Sequence, residues 1–442
     1  MKKITQFYTH LAALSGLLFG FDTVVISGAN LPLKAVWETS DWFHGFFIMS
    51  VALWGTVLGA LFGSIPCNKI GRKNTLFWIG VFFLISALGT ALATDPFMFS
   101  FFRFIGGIAI GASSIAAPTY ISEISNASHR GRKVMQYQLF IVVGIVLAYT
   151  SNFILQGVGG SNDWRWMLAA ELLPALVYLG LILEIPESPR WLLLYKKDEG
   201  AALRVLNKIT SPKKAEAILN SIKADNLKKQ TTKLFSPQHR FSLLLAGSMA
   251  AFNQLSGINF ILYYAPEIME KAGFMTSVSL LGAVLIGGTN LIFTFIGMKL
   301  IDYRGRRSLM WMGTIGYLVS LSSISLCFYL NLAPWLILTF ILLFIAAHGI
   351  GQGAVIWVFI SEIFPNQCRA QGQSFGAGVH WTTAALITLF GAVLIDSFAA
   401  YQIFLGFGIL MLFQLLFVAF IMPETKGEEL EKLHKKLTLK SL

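Results

Sequence analysis

The chain has 442 residues, 55% of them apolar and only 13% charged, with a mean hydropathy of +0.66. Soluble domains carry about 25% charged residues, so this balance excludes an ordinary water-soluble globule and points to lipid as the solvent. The net charge of +12 would suit a nucleic-acid binder. The basic residues, however, sit between apolar runs on one side of the expected topology, which excludes nucleic acid as a partner.

A helix needs about 20 mostly apolar residues to cross a bilayer. Twelve such runs follow one another at 8–30, 45–66, 75–94, 97–121, 134–156, 165–185, 241–265, 276–299, 308–330, 335–360, 373–395 and 399–421. The first opens as MKKITQFYTHLAALSGLLFG and could start a signal peptide. No small-x-small cleavage site follows it and the run continues through Ile26, so it is expected to remain as the first span. With the N-terminus in the cytoplasm, all but four of the 34 basic residues fall on the cytoplasmic side. Lys34, Arg165 and Lys271 lie in the opposite loops, and Arg103 lies inside a span. That asymmetry and the even number of spans predict cytoplasmic termini and a place in the cytoplasmic (inner) membrane. Cys67, Cys327 and Cys368 have neither metal-site spacing nor a disulfide context, so packing is expected of them.

The one long hydrophilic segment, 186–240, interleaves acids and bases and reads as a helical linker. The expected organisation is a six-helix bundle over 1–185, the linker over 186–240, a second six-helix bundle over 241–425 and a tail over 426–442. The two bundles echo each other. NKIGRKN (68–74) is answered by IDYRGRR (301–307), YISEIS (120–125) by FISEIF (359–364), and IPESPRW (185–191) by MPETKG (422–427). Three markers in one order at nearly constant spacing indicate a duplicated unit, an arrangement that places a solute at the midplane between the halves.

These residues resemble the sugar porter branch of the major facilitator superfamily. The resemblance rests on NKIGRK, RFIGGIAIG (103–111), PTYISEIS with the following RGR (118–132), PESPRW, NQLSGIN (253–259), DYRGRR, SEIFP (361–365) and PETKG, and covers nearly the whole chain. It implies an all-α membrane protein of twelve transmembrane helices in two pseudo-symmetric bundles. It also implies alternating access, with a small-molecule sugar and a proton as partners. Asn68 stands where many facilitators carry Asp, and Ala354 replaces the usual Pro of span ten, which is expected to stiffen or re-aim that helix.

Two charges fall inside spans. Asp22 lies about 18 Å along a first helix begun near His10, at 1.5 Å per residue, and Arg103 opens the fourth run. A bare charge there costs about 2.5–3.5 kcal/mol even on lenient scales, so each needs a partner or a wet cavity. They are the natural partners of each other. In proton-coupled members of the family the matching Asp carries the proton. Burial and a neighbouring guanidinium pull on that proton in opposite directions. The competing reading is a purely structural ion pair.

A sugar offers hydroxyls and an apolar ring face, which call for amides and a flat aromatic wall. Gln138, Asn253, Gln254, Asn259, Asn290 and Gln352, with Trp357, His380 and Trp381, supply that inventory inside the spans, and family resemblance adds Phe19. Intramembrane amides also tie helices together, for about 0.6–2 kcal/mol; that is the competing reading, strongest for Asn290. Gly257 and Pro266 can break span seven, which makes Tyr263 and Tyr264 an outer gate. The resemblance makes Arg72, Glu123 and Arg130, and likewise Arg306, Glu362 and Arg369, a cytoplasmic gate that pairs when that mouth shuts and separates when it opens. Topology anchoring is the alternative.

Ile145 is apolar where a pentose carrier of the family places a Gln, which favours a hexose. His348 and His380 lack a cluster of further ligands, so hydrogen bonding rather than a metal is expected of them. No nucleophile elbow, Walker loop or paired active-site carboxylates appear, so the chain reads as neither an enzyme nor a cofactor binder. The expectation is a monomeric proton–monosaccharide symporter set in lipid. A uniporter on the same fold and a non-transporting sensor are the rivals.

Overall fold

The computed structural model describes residues 2–125, 130–227, 233–365, 368–427 and 430–441. Twelve of its helices are long and apolar enough to cross a membrane. Spans one to six are Lys3–Trp37, Asp41–Phe62, Arg72–Ala91, Pro96–Ile124, Lys133–Leu155 and Gly160–Ile182; spans seven to twelve are Pro237–Lys271, Thr276–Ile301, Arg306–Tyr329, Pro334–Glu362, Arg369–Ser397 and Ala400–Ile421. No strand occurs among the described residues. Spans one and seven overrun their apolar stretches most. Span one continues past Lys34 because its ammonium meets Asp41 and Asp396 at 2.7 and 2.9 Å.

Local chemistry sets the boundaries. Asp95 caps span four, accepting from the N–H groups of Phe97 and Met98 at 3.0 Å with Pro96 at the first helical position. Ser188 and Asp198 cap the linker helices Pro189–Leu194 and Glu199–Ile209, and a third linker helix covers Pro212–Leu227. Gly71 (φ +96°) and Gly305 (φ +89°) turn the chain from span two into three and from span eight into nine. A Cβ at either would collide with a carboxylate, of Glu187 or of Glu424.

Packing follows the duplication. Spans one and five, two and four, three and four, and three and six pack together; seven and eleven, eight and ten, nine and ten, and nine and twelve repeat the scheme. Between the halves, span five meets eight, span eleven meets two, and span one meets seven. Spans one and five interlock at glycines: a Cβ at Gly20 would overlap the Ile141 carbonyl, and one at Gly144 the Leu17 carbonyl.

Two helices of the second half are broken. Span seven stops at Leu255, passes Gly257 at φ +87° and resumes over Ile258–Lys271, with Tyr264 off helical geometry at φ −108°, ψ 16°. Span ten breaks at Gly351 (φ −87°, ψ −102°). The break therefore persists without the proline that Ala354 replaces, because Gly351 tolerates the irregular backbone and packs on Gly313.

Both chain ends and the linker lie on one face, here the linker face. Among the described residues three hydrogen bonds join the halves, all towards the opposite face: Asn30 Nδ2 to Glu267 Oε2 (2.8 Å), Lys34 Nζ to Asp396 Oδ2 (2.9 Å) and Tyr149 Oη to the Leu262 carbonyl (2.6 Å). Apolar packing divides likewise. One large core joins the first half to the far portion of the second. The linker-side end of the second half, from Leu245 to Met422, forms a separate core.

Candidate functional site

The close approach of spans one, four and six in the first half encloses charge. Asp22 and Arg103 are 0% and 1% exposed, and they pair through Asp22 Oδ1 and Arg103 Nη1. Arg103 Nη2 also donates to the Asp22 carbonyl at 3.0 Å. Gly106 makes room, since a Cβ there would sit 2.7 Å from Asp22 Oδ2. A third ionisable group, which the sequence reading missed, stands beside the pair. Glu171 of span six is 2% exposed and within electrostatic reach of both. Its Oε1, Asp22 Oδ2 and Arg103 Nε have no hydrogen-bond partner. Two carboxyls thus face one guanidinium in a low-dielectric interior. With both ionised the cluster would hold a net buried negative charge; one proton neutralises it.

Amides and aromatic rings gather in the second half. Gln254 Nε2 donates to Asn253 Oδ1 (2.9 Å) and lies 3.0 Å from His380 Nε2; Asn253 Nδ2 reaches Gln352 Oε1 at 3.4 Å. All four residues are buried, and Gln254 Oε1 has no partner. Beside them runs an aromatic wall. Trp357 and His380 have ring centroids 5.1 Å apart, His380 and Trp381 4.7 Å, Trp381 and Phe19 5.5 Å, and Phe19 and Tyr137 6.5 Å. The wall crosses from one half to the other at Phe19 and Trp381. Gln138 is half-buried on span five and Asn259 is buried on span seven. Asn290 accepts from Thr294 Oγ1 at 3.2 Å. Among the described residues no hydrogen bond links these three amides to the Gln254 group.

Comparison with known proteins gives this cluster its context. The family described as "Sugar (and other) transporter" matches residues 8–437. The chain belongs to this sugar transporter family. It is 35% identical to the arabinose-proton symporter of Bacillus subtilis over 434 residues, covering 96% of this chain and 93% of the other. Among solved structures it resembles the inward open conformation of the xylose transporter XylE from E. coli (TM-score 0.86, 30% identity, 97% of this chain and 98% of that one). It also resembles the proton:xylose symporter XylE bound to 6-bromo-6-deoxy-D-glucose (TM-score 0.82, 30% identity, 99% and 100% covered). The transporter is accordingly an all-α membrane protein with the major facilitator fold, and not an enzyme.

Matched clusters on the linker face staple the transporter's helix ends. Arg72 Nη2 donates to Glu123 Oε1 at 3.0 Å, with Nε 2.9 Å from Oε2; Ser188 Oγ donates to Glu123 at 2.5 Å, and Glu187 accepts from the Arg72 N–H at 2.9 Å. In the second half Arg306 forks onto Glu362 at 2.7 and 3.1 Å, Thr425 Oγ1 donates to Glu362 at 2.7 Å, and Glu424 accepts from the Arg306 N–H at 3.0 Å. Arg369 Nε donates to the Phe364 carbonyl at 3.3 Å. The Arg130 side chain lies outside the described residues.

These pairs differ from the expected gate. Each joins helices of one half, and each is made while the inter-half bonds sit at the opposite face. Each cluster ties helix ends that belong to one bundle. Glu187 and Glu424 are counterparts with unlike balances. Burial outweighs the bonds from Ser188, Lys73 and Arg72 N–H and holds the Glu187 carboxyl above its usual range. Burial also pulls Glu424 up, but four backbone N–H groups prevail and hold it below.

The transporter's opposite face carries contacts that its sequence did not betray. Asn30 bonds Glu267 on one side and His44 Nε2 (2.7 Å) on the other, while His44 Nδ1 meets Thr39 Oγ1 at 2.8 Å. Tyr263 and Tyr264, expected from the sequence to form an outer gate, lie just inward. Tyr264 Oη donates to the Thr388 carbonyl at 2.8 Å, whereas the buried Tyr263 hydroxyl is unpartnered. Tyr317 and His348 bond at 2.7 Å away from this face.

Proposed function

We propose that the protein is a proton-coupled monosaccharide symporter of the cytoplasmic membrane that works by alternating access. The linker face is cytoplasmic, both termini are on that side, and the chain acts as a monomer in lipid. The positive-inside charge bias supports this orientation. Far-side inter-half bonds and the high likeness to an inward open relative support a cytoplasm-facing state.

The observation that carries the coupling is the buried cluster of Asp22, Glu171 and Arg103, one proton short of neutral when both carboxyls ionise. In the outward-facing state a proton enters and binds Asp22, and Arg103 keeps a counter-ion by turning to Glu171. The neutral cluster then permits closure, and the proton leaves on the cytoplasmic side as Asp22 and Arg103 pair again. Sugar binds between the halves, its ring against Phe19, Trp357 and Trp381 and its hydroxyls on Gln138, Asn253, Gln254, Asn259, Asn290, Gln352 and His380. A hexose is favoured because span five carries the apolar, buried Ile145 where a pentose carrier of the family places a Gln. Tyr263 and Tyr264 close the outer mouth, and the Arg72–Glu123 and Arg306–Glu362 clusters keep each bundle rigid as it rocks, with Arg130 and Arg369 at the adjoining helix starts.

Uptake of labelled D-glucose, D-xylose, arabinose and myo-inositol into proteoliposomes, with and without an imposed pH gradient, tests the reading. Uphill accumulation of one monosaccharide only with the gradient is the expected result. Gradient-independent equilibration would make the protein a uniporter instead.

A further inference from the structure

Behind the amides of the pocket runs a longer chain of hydrogen bonds. Gln352 Nε2 donates to Gln414 Oε1 of span twelve at 3.1 Å, Gln414 Nε2 to Thr314 Oγ1 of span nine at 2.6 Å, and Thr314 Oγ1 to the Met310 carbonyl at 2.7 Å. Thr314 and Gln414 are both 0% exposed, and Gln352 is 1% exposed. The chain therefore reads Gln254, Asn253, Gln352, Gln414, Thr314, Met310, and crosses spans seven, ten, twelve and nine without reaching water.

Its sense is fixed at the far end. A carbonyl cannot donate, so the single hydroxyl hydrogen of Thr314 goes to Met310 and the Thr314 oxygen must accept. Gln414 must then present its NH2 group to Thr314 and its oxygen to Gln352. Gln352 in turn must donate to Gln414 and accept from Asn253, and Asn253 must accept from Gln254. The orientation of every amide follows from one backbone carbonyl. At the other end Gln254 spends its NH2 on Asn253 and His380, so His380 Nε2 accepts and the ring N–H of the neutral imidazole is at Nδ1. Gln254 Oε1, buried and unpartnered, is left as a bare acceptor. Reversing the chain would put an NH2 donor there instead.

We propose that Gln414 and Thr314 are positioning residues of the sugar site: they hold the amide chain in the sense that offers Gln254 Oε1 to a sugar O–H. The inference rests on the sugar-site reading above. It adds that one substrate hydroxyl is recognised as a donor. The site therefore rejects a substituent that only accepts, and a chain with its anchor removed loses that discrimination.

The test uses the full-length protein in detergent and in proteoliposomes, with the transported sugar of the panel and its monodeoxy-fluoro analogues, since C–F accepts but does not donate. Wild type should bind one fluoro analogue at least about tenfold more weakly than the parent sugar, a difference of about 1.4 kcal/mol. Thr314→Val, which keeps shape and removes the hydroxyl, should raise Kd and KM about tenfold with kcat unchanged. It should also bring the hydroxyl-to-fluorine discrimination at that position to within about threefold. Thr314→Ser should restore both, and Gln414→Leu should reproduce the valine variant. Unchanged affinity and discrimination in Thr314→Val overturn the relay, as does failure of Thr314→Ser to rescue. Gln254→Ala separates the two readings: if it abolishes binding while Thr314→Val is silent, the relay alone falls, and if Gln254→Ala is itself silent, the sugar-site placement falls with it.

Discussion

The two halves share a frame and differ in chemistry. At the linker face they repeat the same bonds, with Gly71, Arg72, Glu123, Glu187 and Ser188 answered by Gly305, Arg306, Glu362, Glu424 and Thr425. At mid-depth they part. The first half packs spans one and five together at glycines and holds two carboxyls and a guanidinium, with Glu171 at the interruption between the span-six helices Asp163–Ala169 and Leu172–Ile182. The second has broken helices around neutral amides and indoles. The linker-face corners are alike, while the interior is charged in the first half and neutral in the second.

Substitutions can break this comparison. The largest effect is expected of Asp22→Asn, which should abolish pH-driven accumulation in proteoliposomes while sugar counterflow persists. Accumulation surviving that change would remove the charged half from coupling. Next come Trp357→Ala and Gln138→Ala, each expected to weaken sugar binding about tenfold, or about 1.4 kcal/mol. Both should leave the protein inserted and monodisperse by size-exclusion chromatography. If neither alters uptake, the pocket is misplaced.

Packing gives a smaller contrast. Gly20→Ala drives a methyl into the Ile141 carbonyl and should cost about 1–3 kcal/mol, read as a lowered apparent Tm in detergent. Gly406→Ala in span twelve, with nothing within 4 Å, should leave Tm unchanged. Equal shifts would mean that spans one and five are not tightly interlocked at Gly20.

The smallest effect compares Glu187 with Glu424. Glu187 is held above its usual range, so its ionised form is penalised by folding and its stability contribution falls as pH rises through that window. Glu424 is held below, so its contribution is present at neutral pH and lost on acidification. At pH 7, Glu424→Gln should therefore destabilise more than Glu187→Gln, by up to about 1 kcal/mol, since both groups are part-exposed. The reverse order in thermal melts would contradict this balance.

Much of this was legible in the sequence, for identifiable reasons. Twenty-residue apolar runs located the twelve helices, because the bilayer dictates their length. The rarity of intramembrane charge singled out Asp22 and Arg103. The same rule applied to the run at 165–185 would have exposed Glu171, which stands between apolar neighbours six residues into that stretch. Gln414 offered a weaker signal, because one amide in an apolar helix does not reveal its partner, here Thr314. The contacts of Asn30 with His44 and Glu267 were hidden for another reason. They join three helices, and sequence spacing does not report tertiary adjacency. Within-half pairing of the arginine clusters likewise needed coordinates, since the motifs show which charges exist but not which bundle each one grips.

Proton flux driven by sugar tests the central claim most directly. Proteoliposomes with no imposed gradient are given the transported sugar while external pH is followed. The division of labour between the halves predicts alkalinisation of the medium that tracks uptake, is absent in Asp22→Asn, and persists at raised sugar concentration in Trp357→Ala. Sugar entry with no accompanying change in pH would contradict it.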